Sequence, residues 1–270
     1  MTAINVFVRP DRAFLMTDGA FYLPDGHIVG FGNKAMPIPN LNAAIAVRGL
    51  QKVVAEFAFD FSIRYRNFDD LAARLQDDLS EWQDLRARDA GYTAWSDVDL
   101  YVVGWSDDEQ RMKALNFMTR AGGTDYAVGE VEEIGEFTVG PYPSDEEWFV
   151  NLRSLGASLE GDDAVRRFDP IRHGIPIMEA QRRMMVDPAE MGSAFTGTTP
   201  ISLVGGHITL TEVSKDGVSQ RVVYRWADEP GVPIKPAAFV APSRIRPTPP
   251  SNLSRQQRRA WERQHGRLAA

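Results

Sequence analysis

The first 18 residues, MTAINVFVRPDRAFLMTD, decide the fold prediction. Apolar residues alternate from Ile4 to Val8, which predicts a first strand, and Pro10-Asp11 then predicts a turn. The apolar run Ala13–Met16 predicts a second strand, which leads into Asp18. The chain therefore opens with two short strands joined by a tight connection.

Strand and helix patterns follow one another in groups along the rest of the chain. Strand patterns occupy 27–31, 41–47, 99–105 and 137–139, and helical periodicity occupies 50–66, about 68–88, 145–155 and 170–185. Residues 201–213 and 218–226 read as a hairpin closed by Lys215-Asp216-Gly217. This order predicts an α+β domain in which two sheets pack together with helix pairs outside them.

Composition excludes several kinds of site. The 270 residues include no cysteine, which excludes disulfides, thiolate zinc sites and cysteine nucleophiles. None of the four histidines are spaced as a metal pair on one helical turn. No apolar run reaches the roughly 18–20 residues that cross a bilayer, and the N-terminus does not read as a signal peptide. We therefore expect a cytoplasmic protein, or one incorporated into an assembly formed in the cytoplasm.

The net charge of −7 is unevenly distributed. From Arg244 onward, seven arginines and one acidic residue give +6, so the remaining body carries −13. An acidic body argues against a nucleic-acid partner, and the basic tail is the one segment suited to an acidic partner. Seven prolines between Pro230 and Pro250 predict an extended linker. We therefore predict a folded domain over 1–228 and a Pro-rich basic arm over 229–270.

The spacing of three polar residues is the most specific signal in the chain. Thr2 would become the first residue if Met1 is removed, and the small size of Thr2 permits that removal. Asp18 and Lys34 lie 16 and 32 residues after Thr2, and Gly49 ends the strand that follows Lys34. This pattern resembles the proteasome β-subunit and its bacterial ring-protease relative, which are N-terminal-nucleophile (Ntn) hydrolases.

The resemblance implies a four-layer αββα sandwich and a threonine peptidase or amidohydrolase that needs no cofactor or metal. Thr2 would attack a peptide or amide carbonyl, with its own amine as the base. Lys34 would lower the pKa of that amine, Asp18 would hold Lys34, and the Gly49 amide would bind the oxyanion. The family also implies a homo-oligomer or a larger protein assembly.

The late part of the chain departs from the family pattern. Gly205-Gly206 is present, but the family's second aspartate and its serine fall on Ile201 and Val204. Ser202 and Ser144 are the candidates for the supporting serines. Sequence alone interprets Arg48 as a surface salt-bridge residue and His207 as a hydrogen-bonded strand histidine.

Two other interpretations remain open at this stage. The chain could be a catalytically inactive Ntn-fold subunit of a larger assembly, which docks through its C-terminal arm. The tail weakly resembles the basic ends of some phage assembly proteins, so a virion structural role belongs to this alternative. The last interpretation is an ordinary α+β domain in which the threonine, aspartate and lysine spacing is accidental. The substrate and the oligomer size are not encoded in any motif.

Overall fold

Two antiparallel sheets of five strands each carry the fold. The computed structural model describes residues 2–49, 51–88, 97–119, 126–141, 165–187 and 200–236, all of which belong to one unit, Met1–Ala237. Its strands are β1 Ile4–Val8, β2 Arg12–Asp18, β3 Ala20–Tyr22, β4 Ile28–Phe31, β5 Ala35–Ile38, β6 Ala43–Arg48, β7 Asp99–Ser106, β8 Arg111–Met118, β9 Val131–Glu133, β10 Phe137–Gly140, β11 His207–Ser214 and β12 Gly217–Arg225. Its α-helices are α1 Gln51–Arg64, α2 Phe68–Arg88 and α3 Ile175–Arg183.

The predicted opening hairpin lies in the middle of the first sheet. This sheet has the order β10-β1-β2-β11-β12, and the second has the order β5-β6-β7-β8-β9. Ile4 pairs with Thr17 across the hairpin, and Asp18 pairs with Ile208 on the other side of β2. A separate two-stranded hairpin, β3-β4, connects the sheets along the chain.

A buried apolar cluster joins the two sheets. The first sheet contributes alternate residues of β1 and β2, including Ile4 and Leu15, and the second contributes residues such as Ala44 and Val103. Side chains of a strand alternate between its two faces, so Asn5 and Phe7 point away from this cluster. The alternation that predicted β1 therefore also decides which of its faces meets the second sheet.

Helices α1 and α2 pack against the second sheet. Their apolar faces form a second cluster with β5, β6 and β7, in which Phe57, Leu71 and Leu75 are buried. The Asn67 side chain accepts a hydrogen bond from the Asp70 amide at 2.8 Å, which caps the start of α2. The predicted beginning and end of α2 are both confirmed.

A separate segment packs against the outward side chains of β1. The Phe168 ring stacks on Phe7 with a centroid separation of 3.6 Å. In α3, Gln181 exchanges two side-chain hydrogen bonds of 2.8 Å with Asn5. The described part is therefore a mixed α/β fold with mostly antiparallel sheets, as the grouping of the elements indicated.

Four strands were not recognised in the sequence. The residues of β8, RMKALNFM, are mostly helix formers, yet they pair with β7 over the full length of the strand. β5 contains Pro37, which its edge position tolerates. The other two, β3 and β9, have three residues each, too few for a periodic signal.

Two predicted elements have boundaries in the structure that differ from those expected from the sequence. Residues 201–206 were expected to begin a strand, but β11 starts at His207 because Gly206 has a φ of 77°, which breaks extended pairing. The helix predicted over 170–185 is a π-helical turn, Pro170–Gly174, followed by α3. The helix predicted over 145–155 lies outside the described residues.

The first residues of the predicted Pro-rich arm contact the body. The Ile28 amide donates to the Val232 carbonyl at 3.1 Å, and the Gly231 amide donates to the Ile28 carbonyl at 2.8 Å. Ile234 is buried beside Ile28 and Ala20. Residues 237–270 lie outside the described residues, so the boundary at 228 and 229 stays a prediction. None of the described helices is long and apolar enough to cross a bilayer.

Substituting Gly104 tests the contact between β7 and α2. A Cβ at this position would overlap the buried Phe68 ring, whose Cγ would lie only 2.6 Å away. We expect Gly104→Ala to lower the free energy of unfolding by about 1–3 kcal/mol in urea titrations. Gly30→Ala in β4 is the control, because its Cβ would meet nothing within 4 Å. Equal stability of the two variants would contradict this account of the packing.

Candidate functional site

A buried ion pair between Asp18 and Lys34 lies at the centre of the candidate site. Lys34 Nζ is 2.9 Å from each carboxylate oxygen of Asp18, and the exposed fractions of the two side chains are 4% and 0%. Asp18 ends β2 and Lys34 directly precedes β5. The predicted pairing is therefore present, and it links the two sheets at one end of their shared core.

Backbone amides complete the hydrogen bonding of the Asp18 carboxylate. The Ala3 amide donates to Oδ1 at 3.0 Å, and the Ala20 and Gly205 amides each donate to Oδ2 at 3.3 Å. A buried charge pair is tolerated when its remaining hydrogen-bonding capacity is satisfied. Asp18 consequently holds the N-terminal strand, the β3 hairpin and the Gly-Gly segment together.

Two aromatic rings lie close to the buried Lys34 ammonium. Its Nζ lies 5.4 Å from the Phe21 ring centroid and 5.8 Å from that of Tyr22. Burial lowers the pKa of Lys34, and the Asp18 carboxylate opposes this effect. Burial also raises the pKa of the Tyr22 hydroxyl well above its usual value, and Asp18 adds to that shift. The carboxylate is thus the group that favours a cation at this buried position.

Arg48 holds the other side of Thr2. Its Nε donates to the Thr2 carbonyl oxygen at 3.1 Å, and its Nη1 pairs with Asp99 at 3.0 Å. Thr2 itself is 7% exposed. Burial opposes the charge on Arg48, but Tyr101 and Asp99 outweigh it and raise its pKa. The interpretation of Arg48 as a surface residue was wrong, because its partner Asp99 belongs to the neighbouring strand β7 inside the protein.

Gly49 follows Arg48 and occupies a position that only glycine fits. Its φ is 136°, and a Cβ would overlap the carbonyl oxygen of Asp97. The structure therefore brings Asp18 and Lys34 into contact and binds the Ala3 amide, next to Thr2, to Asp18. Arg48, the residue before Gly49, donates to the Thr2 carbonyl oxygen.

The two predicted supporting serines have different outcomes. The Ser202 hydroxyl is buried and donates to the Arg182 carbonyl oxygen at 2.6 Å, so it is bound to the last turn of α3. Ser144 lies outside the described residues. Ile201 and Val204, at the family's acid and serine positions, are both buried apolar side chains.

A third buried ion pair holds the Gly-Gly segment in place. Arg182 and Asp228 are 3% and 5% exposed and form two contacts of 2.5 and 2.8 Å. Asp228 accepts from the Gly206 amide at 2.7 Å, and Arg182 donates to the Val204 carbonyl at 2.8 Å. Sequence reasoning missed this pair, because no motif or spacing connects the end of α3 with the segment after β12.

His207 was also misinterpreted. It is 5% exposed, and neither ring nitrogen has a hydrogen-bond partner among the described residues. Burial lowers the pKa of its imidazole, as does Arg225, whereas Asp18 acts in the opposite direction. The expectation of a hydrogen-bonded strand histidine fails because the chain presents its ring to Gly19, which has no side chain.

The described ranges contain no group of three or more side chains suited to a metal ion. No family model and no curated protein sequence matches this chain.

The substitution Arg182→Met tests how much the Arg182–Asp228 pair contributes to stability. We expect Arg182→Met to lower the free energy of unfolding by about 3–5 kcal/mol, because it leaves Asp228 buried without its cation. Arg74→Met on α2 is the control, since this arginine is 48% exposed and ion-paired at 3.6 Å or more. Its loss should cost at most about 1 kcal/mol. Urea unfolding of both variants measures the difference, and similar losses would refute a special role for Arg182.

Proposed function

We propose that this protein is a threonine-type Ntn hydrolase that cleaves peptide or amide bonds through an acyl-enzyme on Thr2. The observation that carries the proposal is the contact of the Asp18–Lys34 pair with the N-terminal segment, through the Ala3 amide and Asp18 Oδ1. Asp18 and Lys34, at two of the fixed spacings, form a buried pair that binds the residue after Thr2. An accidental spacing gives no reason for that contact.

The proposed chemistry begins when Met1 is removed and the Thr2 amine is free. The unperturbed pKa of such an amine is about 8, and the Lys34 cation would lower it by like-charge repulsion. The neutral amine accepts the hydroxyl proton as Thr2 Oγ bonds to the substrate carbonyl carbon. The proton then passes to the leaving nitrogen as the C–N bond breaks, and water hydrolyses the resulting ester.

Gly49 is the proposed donor to the oxyanion. Its amide follows directly after Arg48, which holds the Thr2 carbonyl, and a backbone amide is the usual donor to a tetrahedral oxyanion. The mechanism uses no metal and no organic cofactor.

The packing described above also favours the family's αββα sandwich as the finer description of the fold. Apolar residues of the two sheets share one cluster, α1 and α2 lie on the second sheet, and Phe168 and α3 lie on the first. Homo-oligomerisation remains part of the proposal by family analogy.

Covalent labelling tests the nucleophile. Intact mass of the purified protein reports whether Met1 is gone, and incubation with a β-lactone, which acylates reactive hydroxyl groups, follows. We expect one adduct, located on Thr2 by peptide mapping, and none in Thr2→Ala. Lys34→Met should react up to about tenfold more slowly near pH 7, because the amine loses the cation that lowers its pKa and returns towards the unperturbed value of about 8.

The matched control is Lys52→Met, since Lys52 is exposed on α1 and pairs with Glu56 only at 3.9 Å. This variant should react at the wild-type rate. Two results would overturn the proposed function: no adduct in wild-type protein that lacks Met1, or an adduct that persists in Thr2→Ala. Circular dichroism of each variant confirms that the fold is intact.

A second candidate is a catalytically inactive subunit of a larger assembly. The observation that favours it is the burial of Ile201 and Val204 where the active family has an acid and a serine. In this case the basic C-terminal residues would dock on an acidic neighbour, and Thr2 would not react.

Truncation tests the assembly role of the C-terminal arm. The deletion should begin after Ala237, because Val232 and Ile234 contact the body. Removing them would destabilise the fold, and that effect would be mistaken for a loss of assembly. For the assembly candidate we expect the truncated protein to stay folded but to move to a smaller species in native mass spectrometry. An unchanged assembly state would remove the arm from any assembly role.

A further inference from the structure

Arg48 joins the N-terminal segment to the second sheet. It is the last residue of β6, and its Nε donates to the Thr2 carbonyl oxygen at 3.1 Å. Its Nη1 donates to Asp99 of β7 at 3.0 Å, and the two side chains are 11% and 6% exposed. Because a guanidinium holds its donors in a rigid planar fork, two contacts to different nitrogens fix its orientation as well as its position. The Thr2 backbone is therefore tied to β7 through one largely buried side chain.

Gly140 leaves the space that the Arg48 guanidinium occupies. It ends β10 and pairs with Ile4 of β1, so it lies in the first sheet. A Cβ at Gly140 would overlap Arg48 Nη2. The Gly140 amide donates to Asn5 Oδ1 at 3.2 Å, which holds this end of β10. Groups of both sheets thus enclose the guanidinium, and its place next to Thr2 is part of the packing.

The contact to the carbonyl sets an upper limit on the distance between Arg48 and the Thr2 nitrogen. Bond lengths and angles keep the nitrogen of a residue within about 3.6 Å of its own carbonyl oxygen. Arg48 Nε therefore lies within about 7 Å of the Thr2 nitrogen. The contacts that lead from Lys34 through Asp18 to the Ala3 amide limit the corresponding distance of Lys34 Nζ only to about 10 Å. Of the two cations, Arg48 is the one that contacts Thr2 directly.

Charges of both signs surround this position. An arginine stays protonated throughout the pH range of enzyme assays, whereas burial lowers the pKa of Lys34. Arg48 is thus a permanent cation, and Asp99 is the anion paired with it. Removing Arg48 or Asp99 therefore changes the charge near Thr2 in opposite directions. The other titratable groups that interact with Arg48 or with the Asp18–Lys34 pair are Tyr22 of β3, Tyr101 of β7 and His207 of β11.

We propose that Arg48 is a positioning residue for Thr2, which fixes the Thr2 backbone and places a permanent positive charge beside the Thr2 nitrogen. This inference rests on the proposed function, in which the neutral Thr2 amine accepts the hydroxyl proton. A nearby cation disfavours the protonated amine, so Arg48 increases the neutral fraction near pH 7. The charge sets the pH at which the acylation rate rises, and the contact to the carbonyl sets the rate that is reached at high pH.

Three substitutions separate the charge of Arg48 from its contact. Arg48→Met removes both, so the pKa of the Thr2 amine should rise by about half a pH unit or more. Arg48→Lys keeps the cation and loses the fork, so the amine pKa should stay within about 0.3 of the wild-type value while the high-pH rate falls. Asp99→Asn keeps Arg48 and removes the anion, so the amine pKa should fall. A general loosening of the site would move the pKa in one direction in all three variants.

The test is the rate of Thr2 acylation by the β-lactone, measured from about pH 6 to pH 9 in wild-type protein and the three variants. Near pH 7 we expect Arg48→Met to react at least about threefold more slowly than the wild type. Arg74→Met is the matched control, because it removes the same charge from α2, where Arg74 pairs with Asp70 and Asp78. It should follow the wild type at every pH. Circular dichroism of each variant reports whether the fold is intact.

A second measurement does not depend on acylation. In protein with carbon-13-labelled threonine, the Thr2 resonances titrate with the adjacent amine and give its pKa directly by NMR. We expect the highest pKa in Arg48→Met, similar values in wild type and Arg48→Lys, and the lowest in Asp99→Asn. If Arg48→Met does not fold, the comparison of wild type with Asp99→Asn still tests the effect of the charge.

The two failures are distinguishable. Wild-type protein that lacks Met1 and is not acylated at any pH would overturn the proposed function, and this inference with it. Acylation of the wild type with the same amine pKa in Arg48→Met or Asp99→Asn would overturn the role of Arg48 alone. A pKa that moves in the same direction in Arg48→Met and Asp99→Asn would also overturn it, because the charge of Arg48 would then not be the cause.

Discussion

The ion pair between Asp18 and Lys34 is the interaction on which the rest of this site depends. Removing two charges from water costs several kcal/mol for each ion, and here both charges are almost completely buried. The cost is offset because Asp18 also accepts from three backbone amides, which belong to the N-terminal segment, the β3 hairpin and the Gly-Gly segment. A single carboxylate therefore fixes the relative positions of chain segments that are far apart in sequence.

Two further buried pairs continue the same pattern. Arg48–Asp99 holds the Thr2 carbonyl, and Arg182–Asp228 holds the Gly206 amide. Each pair matches a cation with a carboxylate and adds a hydrogen bond to the backbone, so the charges are balanced inside the protein. Two of the three pairs thus hold the backbone at Thr2 and Ala3, and a proposed nucleophile needs such preorganisation.

The differences from the active family concern the groups that would assist the Thr2 amine. Ile201 and Val204 are apolar and buried, and the Ser202 hydroxyl is bound to α3. The proposed site therefore has fewer polar groups on that side of Thr2 than the family pattern implies. His207 on β11 packs its ring against Gly19.

Local patterns in the sequence predict the opening hairpin, α1, α2 and the β11-β12 hairpin, because alternation and helical periodicity do not depend on tertiary partners. The sequence also predicts the Asp18–Lys34 pairing, since the residue spacing matched a known pattern. Strand β8 was not predicted, because most of its residues favour helices and only its pairing with β7 makes it extended. Arg48 with Thr2, and Arg182 with Asp228, are each separated by 46 residues. Only the tertiary structure could decide those contacts and the packing of the buried His207 ring against Gly19, because side-chain partners across strands depend on register and burial, which no local pattern encodes.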